Sequence, residues 1–453
     1  MLPIVTPDEM AAIDAAAAEP VDVLIERAGA VVARTALRML GGSYGRRVVV
    51  VAGKGNNGAD GRAAARRLRR RGVAVEVIEA TEVGRKLPPS DLVIDAAYGT
   101  GFRGSWSSPD ANGAPVLAVD IPSGVDGLTG AAGPGVRPAD RTVTFAALKP
   151  GLVFPPGSVL TGALELADIG LPATGASTFL VQASDVACWL PVREPDAHKW
   201  RAGAWVVAGS AGMRGAARLA AAAAQRSGAG MVRLSSPGLE ADPRAPTEVV
   251  TRALPWTGWA GDVLEHLDRF HCLAIGPGLG RADATAQSVR TVVSQVPIPV
   301  VVDGDGLFAL AWSGEGPRAV LRGRTAATIL TPHDGEYSIL TGTRVGPDRV
   351  AAARHLAADT KSIVLLKGAA TVIARPDGVA YVVTAGDARL ATAGTGDVLT
   401  GIICGLVAGG VPAFEAAAAG AWIHGQAGRN GPERGLVAGD LLGLIPGVLS
   451  ALA

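Results

Sequence analysis

The sequence has almost no net charge. Its 453 residues include 42 basic and 41 acidic side chains, which gives a formal net charge of +1. A chain with this balance has no long-range field to attract nucleic acid or an anionic membrane surface. One basic run, ARRLRRRG at 65–72, falls at the expected C-terminal turn of a helix, where cations complement the helix dipole, so we interpret it as a solvated face. We therefore expect no nucleic-acid partner.

Paired cysteines and long apolar runs are missing as well. Cys188, Cys272 and Cys404 lie far apart without CxxC spacing, which argues against a zinc site or a disulfide framework. The most apolar window, 398–411, is too short and too rich in glycine to span a bilayer. The N-terminal stretch MLPIVTPDEMAAID has early acidic residues and no basic start before an apolar core, so we expect no signal peptide. These features predict a soluble cytoplasmic protein without a membrane partner.

Short β-branched runs alternate with alanine-rich helical stretches along the chain, which is the pattern of parallel sheets with crossover helices. A first series of strands is predicted at 47–53, 73–79, 91–95, 115–120 and 141–145. A second series is predicted at 203–210, 231–236, 271–276, 298–305, 327–330 and 362–368. The pattern weakens between them, over 168–200. The sequence therefore predicts an α/β protein of two domains.

The stretch TAGTGDVLTGII, 392–403, places one carboxylate, Asp397, between a glycine-rich turn and an apolar helix. The glycines let the backbone approach a ligand closely, and the free N–H groups of the helix start form an anion hole. A phosphoryl group in transfer gathers charge at such a point, and a carboxylate there can take the proton of an acceptor hydroxyl. On these residues alone, Asp397 is equally well explained as an acidic residue of a first helical turn.

Further segments in the same half make the pattern specific. They are GSAGMRGAARLAA (209–221), IGPGLG (275–280), VVDGDGL (301–307), TPHDGE (331–336) and KGAATVI (367–373). Together with the GTGD turn they resemble the NAD(P)H-hydrate dehydratases of the ribokinase-like superfamily. The resemblance implies a ribokinase-like α/β domain that phosphorylates the ring hydroxyl of hydrated NADH or NADPH and then eliminates phosphate. ADP is the expected phosphoryl donor, because the resemblance extends to fused two-domain forms.

The same resemblance implies roles for individual residues. Asp397 activates the hydroxyl, and Gly394 and Gly396 hold the turn around the phosphoryl group. The nucleotide is bound by Lys367, Gly368, Ala369, Ala370 and Thr371, and the hydrated substrate by Ala216, Gly278, His333 and Asp397. Taken alone, His333 is better explained as a histidine that satisfies nearby backbone groups. Glu336 is the candidate to organise Mg²⁺ through water, while Asp303 and Asp305 either compete for that polar role or cap the next helix.

In the first half, GKGNNGADG at 53–61 follows a predicted strand directly and precedes a predicted helix. A glycine-rich turn in this place can cradle phosphate, although the signal is weak by itself. Its first six residues, GKGNNG, have GxGxxG spacing, but no GK[ST] is present. The missing GK[ST] excludes the P-loop interpretation, and GxGxxG spacing alone is too weak a signal to predict an ordinary dinucleotide-binding site.

This turn and three later segments, DAAYGTGFRGS (95–105), AVDIPSGVDGLTG (118–130) and TFAALKPGL (144–152), resemble the NAD(P)H-hydrate epimerases over about residues 1–170. One departure is GADG in place of the family's GGDG, so Ala59 adds a methyl group where phosphate is expected to approach. The resemblance implies K⁺ at Asn57, Asp95 and Ser123. It also implies a substrate site lined by Asn56, Asn57, Gly58, Ala59, Asp60, Gly99, Thr100, Gly101, Phe102, Arg103, Gly104, Ser105 and Asp120.

Epimerisation needs a group that protonates and deprotonates the hydrated ring. Asp120 is the first candidate because it ends a strand at the carboxyl edge, where α/β sites lie, and Lys149 is the second. Taken alone, Asp95 is an ordinary acidic strand end.

The expected organisation joins two enzymes in one chain. It has a Rossmann-like three-layer α/β/α epimerase domain at 1–175, a linker at 176–198 and the dehydratase domain at 199–453. NADHX and NADPHX are the expected substrates, and a homo-oligomer is expected. The alternative is a ribokinase-like kinase of a vitamin-precursor alcohol with a non-catalytic N-terminal binding domain.

Overall fold

The computed structural model describes residues 1–192, 194–312, 314 and 316–452. It contains two compact units that divide between Thr178 and Phe179. Each unit has its own mainly parallel sheet with associated helices, which confirms the predicted two-domain α/β class. The range predicted as a linker, 176–198, contains a strand and a helix, and Val181 and Val186 in this range are buried in the core of the second unit.

The N-terminal unit, residues 2–178, is built on a parallel sheet. Its first strand, β1 (Leu2–Ile4), lies outside this sheet, whose six strands are β2 (Arg47–Ala52), β3 (Ala74–Glu79), β4 (Leu92–Ala96), β5 (Val116–Val119), β6 (Arg141–Phe145) and β7 (Ala163–Ala167). Its helices are α1 (Pro7–Ala15), α2 (Val21–Leu40), α3 (Asn56–Arg70), α4 (Pro150–Val153) and α5 (Gly157–Leu160). The sheet order is β3-β2-β4-β5-β6-β7, so the chain leaves β2 first toward β3 and then returns to its other side at β4. The site of an open α/β sheet is expected at such a switch point, outside the carboxyl ends of the strands.

The two faces of this sheet are covered differently. Val48 and Val50 face a core that includes α2 and α3. On the opposite face, Val49, Val51 and Val93 pack against side chains from the segments 80–87 and 97–114. The third layer of the expected α/β/α arrangement is therefore formed largely by connecting segments and not by long helices.

The C-terminal unit begins at Phe179 and has a larger sheet. Its strands are β8 (Thr178–Leu180), β9 (Gly203–Val207), β10 (Met231–Ser235), β11 (Val250–Thr251), β12 (Cys272–Ile275), β13 (Val300–Val302), β14 (Thr328–Leu330), β15 (Ile363–Leu366), β16 (Thr371–Ala374) and β17 (Ala380–Val383). They lie in the order β8-β17-β16-β15-β14-β13-β12-β9-β10-β11. Strands β9 to β15 are parallel, whereas β15, β16 and β17 pair antiparallel.

Helices surround this sheet, and one of them is almost wholly buried. They are α6 (Ala183–Trp189), α7 (Arg214–Arg226), α8 (Ala260–Glu265), α9 (Asp283–Gln295), α10 (Asp305–Ala311), α11 (Gly316–Leu321), α12 (Asp334–Thr341), α13 (Arg349–Thr360), α14 (Thr395–Ala408), α15 (Ala413–Asn430) and α16 (Ala438–Ser450), with 3₁₀ turns at Lys199–Ala202 and Ala388–Leu390. Helix α14 packs tightly on α7 because it presents glycine there. A Cβ at Gly401 would collide with the Ala220 carbonyl oxygen and lie 2.8 Å from Ala223 Cβ. This contact holds the start of α14 in the unit's core.

Candidate active sites

A cavity of about 610 Å³ opens at the carboxyl edge of the N-terminal sheet. Its wall includes the turn after β2, the turn after β4 and residues from α1 and α3. Of the residues predicted for this site, those that line the cavity are Asn56, Asn57, Asp60, Gly99, Thr100, Gly101, Phe102, Asp120 and Lys149. Gly58, Ala59, Arg103, Gly104 and Ser105 do not line it. The methyl group of Ala59 therefore stands outside the cavity wall.

Asp120 and Lys149 form a buried ion pair at the floor of this cavity. Lys149 is only 1% exposed. Its Nζ donates to Asp120 Oδ1 at 2.6 Å, to Thr144 Oγ1 at 2.8 Å and to the Phe145 carbonyl at 3.2 Å. An ammonium group has three donors, so all of those of Lys149 are engaged. Lys149 is thus placed to charge and orient Asp120.

The other oxygen of Asp120 is held by Thr100. Oδ2 accepts from the Thr100 hydroxyl at 2.5 Å and from the Thr100 backbone N–H at 3.1 Å. Burial alone opposes ionisation, but the Lys149 charge and these hydrogen bonds outweigh it and lower the pKa of Asp120. A proton that reaches the Thr100 hydroxyl from the cavity side can therefore pass to a carboxylate already in its charged form.

The backbone at Asp120 is strained. Its φ is +68°, in the left-handed region that non-glycine residues seldom occupy, and the Ile121 N–H bonds back to the Val119 carbonyl in a tight turn. Such conformations persist where the surroundings fix them, and they cluster at functional sites. The turn directs the carboxylate to Thr100 and Lys149.

Two further carboxyl groups face the same cavity. Asp60 is 8% exposed, and burial, followed by the charges of Asp120 and Asp14, raises its pKa to about 8. Asp14, which the sequence analysis did not select, lines the wall from α1, and burial raises its pKa as well. Its segment MAAIDAAAA carries no recognisable motif, so only the fold could reveal it.

Two of the three residues predicted for K⁺, Asp95 and Ser123, are in direct contact. The Ser123 hydroxyl donates to Asp95 Oδ1 at 2.6 Å and accepts from the Tyr98 N–H at 2.9 Å. Burial raises the pKa of Asp95 although the Ser123 hydrogen bonds oppose this, and no cationic side chain in the described part of the chain pairs with it. Both polar atoms of the Asn57 side chain are buried and lack a partner among the described residues. The oxygens of an unpartnered buried amide and of a buried carboxyl without a cationic partner are ligands of the kind that a hard cation takes.

In the C-terminal unit, the segments after β13, β14 and β15 bring a lysine and two carboxylates together. Lys367 Nζ lies 2.8 Å from Asp303 Oδ1 and 3.5 Å from Glu336 Oε2. Asp303 Oδ2 accepts from the Thr400 hydroxyl of α14 at 2.7 Å. Burial opposes both charges, yet the pair outweighs it, so the pKa of Lys367 is raised and that of Asp303 is lowered. Neither Asp303 nor Asp305 caps helix α10, because its N-cap is Gly304.

Asp397 lies in the first turn of α14, as predicted. Gly394, the N-cap, has φ +90°, which a side chain would strain, and the N–H groups at this helix start have no helical acceptor. A Cβ at Gly396 would stand 3.6 Å from Lys367 Nζ, so the turn adjoins the lysine–carboxylate group. Burial, followed by the nearby Asp303 charge, raises the pKa of Asp397 to about 6. This carboxylate is ionised at neutral pH and is a much better base than an ordinary aspartate.

His333 and Glu336 form the start of α12. His333 Nδ1 accepts from the N–H groups of Gly335 and Glu336, and Glu336 Oε2 accepts from the His333 N–H at 2.8 Å. His333 therefore does accept hydrogen bonds from nearby backbone groups, as the simpler explanation predicts. Because Nδ1 is the acceptor, the neutral ring carries its proton on Nε2, and the side chain remains 60% exposed for a ligand.

Other predicted dehydratase residues are close together. A Cβ at Gly278, after β12, would stand 3.1 Å from Ala216 Cβ on α7. Asp305 holds this loop by accepting from the Gly280 N–H and from Arg281 Nε, both at 2.9 Å. The predicted nucleotide segment 367–371 forms the connection between β15 and β16. Its first residue, Lys367, directs its ammonium into the carboxylate group.

One buried histidine near this site was not selected from the sequence. His424 on α15 is 8% exposed, and burial lowers its pKa to about 4, although a hydrogen bond with the Thr395 backbone opposes the shift. Its Nε2 has no partner among the described residues. His424 is thus a neutral ring that forms a hydrogen bond with the backbone of the GTGD turn at Thr395.

The comparisons with known proteins cover both units. Residues 204–445 match the family profile described as NAD(P)H-hydrate dehydratase, and residues 21–86 and 78–151 match that described as YjeF-related protein N-terminus. The chain is 39% identical to the bifunctional NAD(P)H-hydrate repair enzyme of Moorella thermoacetica, over 99% of this chain and 97% of the relative.

The solved structures that resemble the larger unit include the following two. The ADP/ATP-dependent NAD(P)H-hydrate dehydratase of Bacillus subtilis, co-crystallised with ATP/Mg²⁺, is 29% identical, with a TM-score of 0.52 over 61% of this chain and 99% of that one. A ribokinase-like superfamily protein of Enterococcus faecalis is 20% identical, with a TM-score of 0.54 over 61% of this chain and 97% of that one, and shows the likeness of fold.

Fold and sites together define a two-domain α/β enzyme whose larger domain is ribokinase-like. The chain belongs to the family of bifunctional NAD(P)H-hydrate repair enzymes. A vitamin-precursor kinase with a non-catalytic first domain would account for the C-terminal unit alone, whereas the relatives match both units. Among the described residues, no helix is both long and apolar enough to cross a membrane.

Proposed function

We propose that this chain repairs NADH and NADPH that have been hydrated on the nicotinamide ring. The N-terminal unit interconverts the R and S epimers, and the C-terminal unit returns the S epimer to NADH or NADPH with ADP as phosphoryl donor. The observation that carries the proposal is the presence of two separate polar sites, each at the carboxyl edge of its own sheet, in a chain that matches a bifunctional repair enzyme over nearly its full length.

The dehydratase step begins at Asp397. Its carboxylate takes the proton of the ring hydroxyl while the hydroxyl oxygen bonds to the terminal phosphorus of ADP and AMP departs. The free N–H groups at Gly394 and Gly396 and the Lys367 ammonium stabilise the transferring group. The carbon–oxygen bond then breaks with loss of a proton from the adjacent ring carbon, which releases phosphate and restores the double bond.

Mg²⁺ in this site is proposed to arrive with the nucleotide. The described residues contain no group of three or more His, Cys, Asp or Glu side chains that could hold a metal ion. Mg²⁺ commonly keeps several waters and is bound by one or two carboxylates together with substrate phosphates. Glu336 would supply one such carboxylate through water. The use of a nucleotide with Mg²⁺ is supported by the Bacillus subtilis dehydratase, which was co-crystallised with ATP/Mg²⁺. The ion would offset phosphate charge.

In the epimerase site we assign proton transfer to Asp120, through the oxygen it shares with the Thr100 hydroxyl. Lys149 keeps this carboxylate charged. We also propose K⁺ at Asn57, Asp95 and Ser123, because their oxygens suit a hard monovalent cation. The buried Asn57 amide has no hydrogen-bond partner in the described residues. K⁺ would fix the turn after β2 against the turn after β4.

The test separates the two activities. Purified R epimer without nucleotide should be converted to S epimer, and chromatography measures this conversion. Purified S epimer with ADP and Mg²⁺ should yield NADH, followed by its absorbance, with one AMP and one phosphate for each NADH formed. A chain that phosphorylates a vitamin-precursor alcohol and leaves both epimers unchanged would contradict the proposal.

A further inference from the structure

Asp60 and Asp120 reach the same cavity from different elements. Asp60 projects from α3, and Asp120 from the turn after β5. Asp120 accepts hydrogen bonds from Thr100, Thr144 and Lys149. The Asp60 carboxyl, by contrast, makes no hydrogen bond with any residue that the structure describes, although only 8% of Asp60 is exposed. Burial of a polar group without a hydrogen-bond partner costs free energy. Because Asp60 lines the cavity, a bound ligand can supply the missing partner.

The surroundings give these two carboxyl groups opposite protonation states. Lys149 is bound to Asp120, whereas no cation pairs with Asp60 within the described residues. Of the other charged groups that line the cavity, Asp14 and Glu79 are acidic and Lys54 is basic, and Glu79 is engaged by Arg62 at 2.6 Å. Burial and the charges of Asp120 and Asp14 raise the pKa of Asp60 to about 8, while that of Asp120 is lowered. At neutral pH the cavity therefore holds one carboxylic acid and one carboxylate.

The reaction needs this combination. Hydration of the ring enamine places the hydroxyl on the carbon next to the ring nitrogen, so the nitrogen lone pair can expel the hydroxyl as water if an acid protonates it. The resulting iminium carbon is planar. Inversion then requires water to add from the other face, with a base to take its proton.

We propose that Asp60 is the second acid–base residue of the epimerase, which works with Asp120 on the opposite face of the nicotinamide ring. This inference rests on the proposed epimerase function and assigns how that site inverts its substrate. Asp60 gives its proton to the ring hydroxyl as the carbon–oxygen bond breaks, and the nitrogen lone pair forms the carbon–nitrogen double bond. Water bonds to the other face, loses a proton through Thr100 to Asp120, and returns the electron pair to nitrogen. The other epimer reacts in reverse, from the form with the proton on Asp120.

The test compares Asp60→Asn with wild type, in the absence of nucleotide so that the dehydratase is silent. Asparagine keeps the size and polarity of Asp60 but cannot release a proton. We expect kcat for R-to-S conversion to fall by ~100-fold or more, with KM changed by less than about threefold. A residue that only binds substrate would raise KM and leave kcat. Asp22→Asn, an exposed carboxylate in the first turn of α2, is the matched control.

Two further readouts decide the outcome. In ¹⁸O-labelled water each inversion should place one solvent oxygen in the product hydroxyl, and kcat/KM should fall as pH rises through about 8, where Asp60 ionises. Wild-type protein that fails to interconvert epimers would refute the proposed function itself. Wild type that interconverts them while Asp60→Asn keeps its kcat, or inversion without oxygen exchange, would overturn the role of Asp60 alone. Dehydratase activity of each preparation shows that the chain is folded.

Discussion

Lys367 Nζ lies 2.8 Å from Asp303 Oδ1, and this buried pair adjoins the turn that carries Asp397. The lysine charge partly offsets the effect of Asp303, which otherwise makes Asp397 harder to ionise. The charge state of the proposed base thus depends on a residue that the sequence assigned to nucleotide binding. In the proposed dehydratase step, Lys367 has two roles: it stabilises the transferring phosphoryl group, and it lowers the pKa of Asp397.

Lys367→Met should move the dehydratase pH profile. In wild type, activity should rise as pH increases through about 6, because Asp397 must lose its proton to act as base. Without the ammonium, the Asp303 charge opposes ionisation of Asp397 with no cation to offset it, so the rise should occur at higher pH, with a lower plateau. The measurement is kcat against pH with S epimer and saturating ADP, and Lys361→Met on the exposed end of α13 is the control. An unshifted profile would contradict the coupling.

Thr100→Val should reduce epimerase activity. The valine has the shape of threonine but lacks the hydroxyl that donates to Asp120 Oδ2 at 2.5 Å. Loss of this proton path should lower kcat for epimer interconversion by about one to two orders of magnitude, while dehydratase activity is unchanged. Thr100→Ser retains the hydroxyl and should keep most of the rate. Equal loss in the serine variant would point to packing and not to proton transfer.

Gly401→Ala should destabilise the C-terminal unit. The added methyl group would collide with the Ala220 carbonyl oxygen and crowd Ala223, so α14 must move away from α7. We expect the free energy of unfolding to fall by ~1–3 kcal/mol. Gly443→Ala is the matched control, since it lies in helix α16 with open space around its Cβ and should stabilise by ~0.5–1 kcal/mol. Denaturant unfolding checks both, and similar shifts in the two variants would argue against the close helix contact.

Asp60→Asn should make stability depend differently on pH. Asp60 has a pKa of about 8 in the folded chain against the ordinary 3.8. Between these values the unfolded chain ionises Asp60 while the folded chain keeps it protonated, so wild-type stability is progressively lost as pH rises. The variant lacks this loss. Its Tm relative to wild type should increase from pH 5 to pH 8, and a constant difference would contradict the raised pKa.

Much of this architecture follows from the sequence. All eleven predicted strands are present within a few residues, because runs such as RVVVVA are β-branched and buried. The strands that were missed are short or lack a β-branched run, as in the edge strand Ala163–Ala167. The sequence identified residues that lie together in the folded structure only where they belong to a recognisable motif, as Asp397 does. Asp14 and His424 lie in alanine-rich helices without such a mark, and only tertiary packing places them at the sites.

The sequence could also not assign roles that depend on partners in space. Lys149 and Asp120 were both candidates for proton transfer, and only the three hydrogen bonds of the lysine distinguish them. Ala59 is not among the residues that line the cavity, whereas Asn57 and Asp60 on the same helix line it, so the approach of phosphate to Ala59 stays a prediction.

The most direct measurement uses a mixture of both epimers of hydrated NADH with Mg²⁺, K⁺ and ADP, and follows NADH absorbance before spontaneous epimerisation contributes. Wild type should recover the whole pool. Asp120→Ala should recover only the S share, and Asp397→Ala should recover nothing although it still equilibrates the epimers. Recovery of the S share alone by the wild type, or full recovery by Asp120→Ala, would contradict an epimerase at the N-terminal site. Undiminished recovery by Asp397→Ala would contradict the dehydratase site.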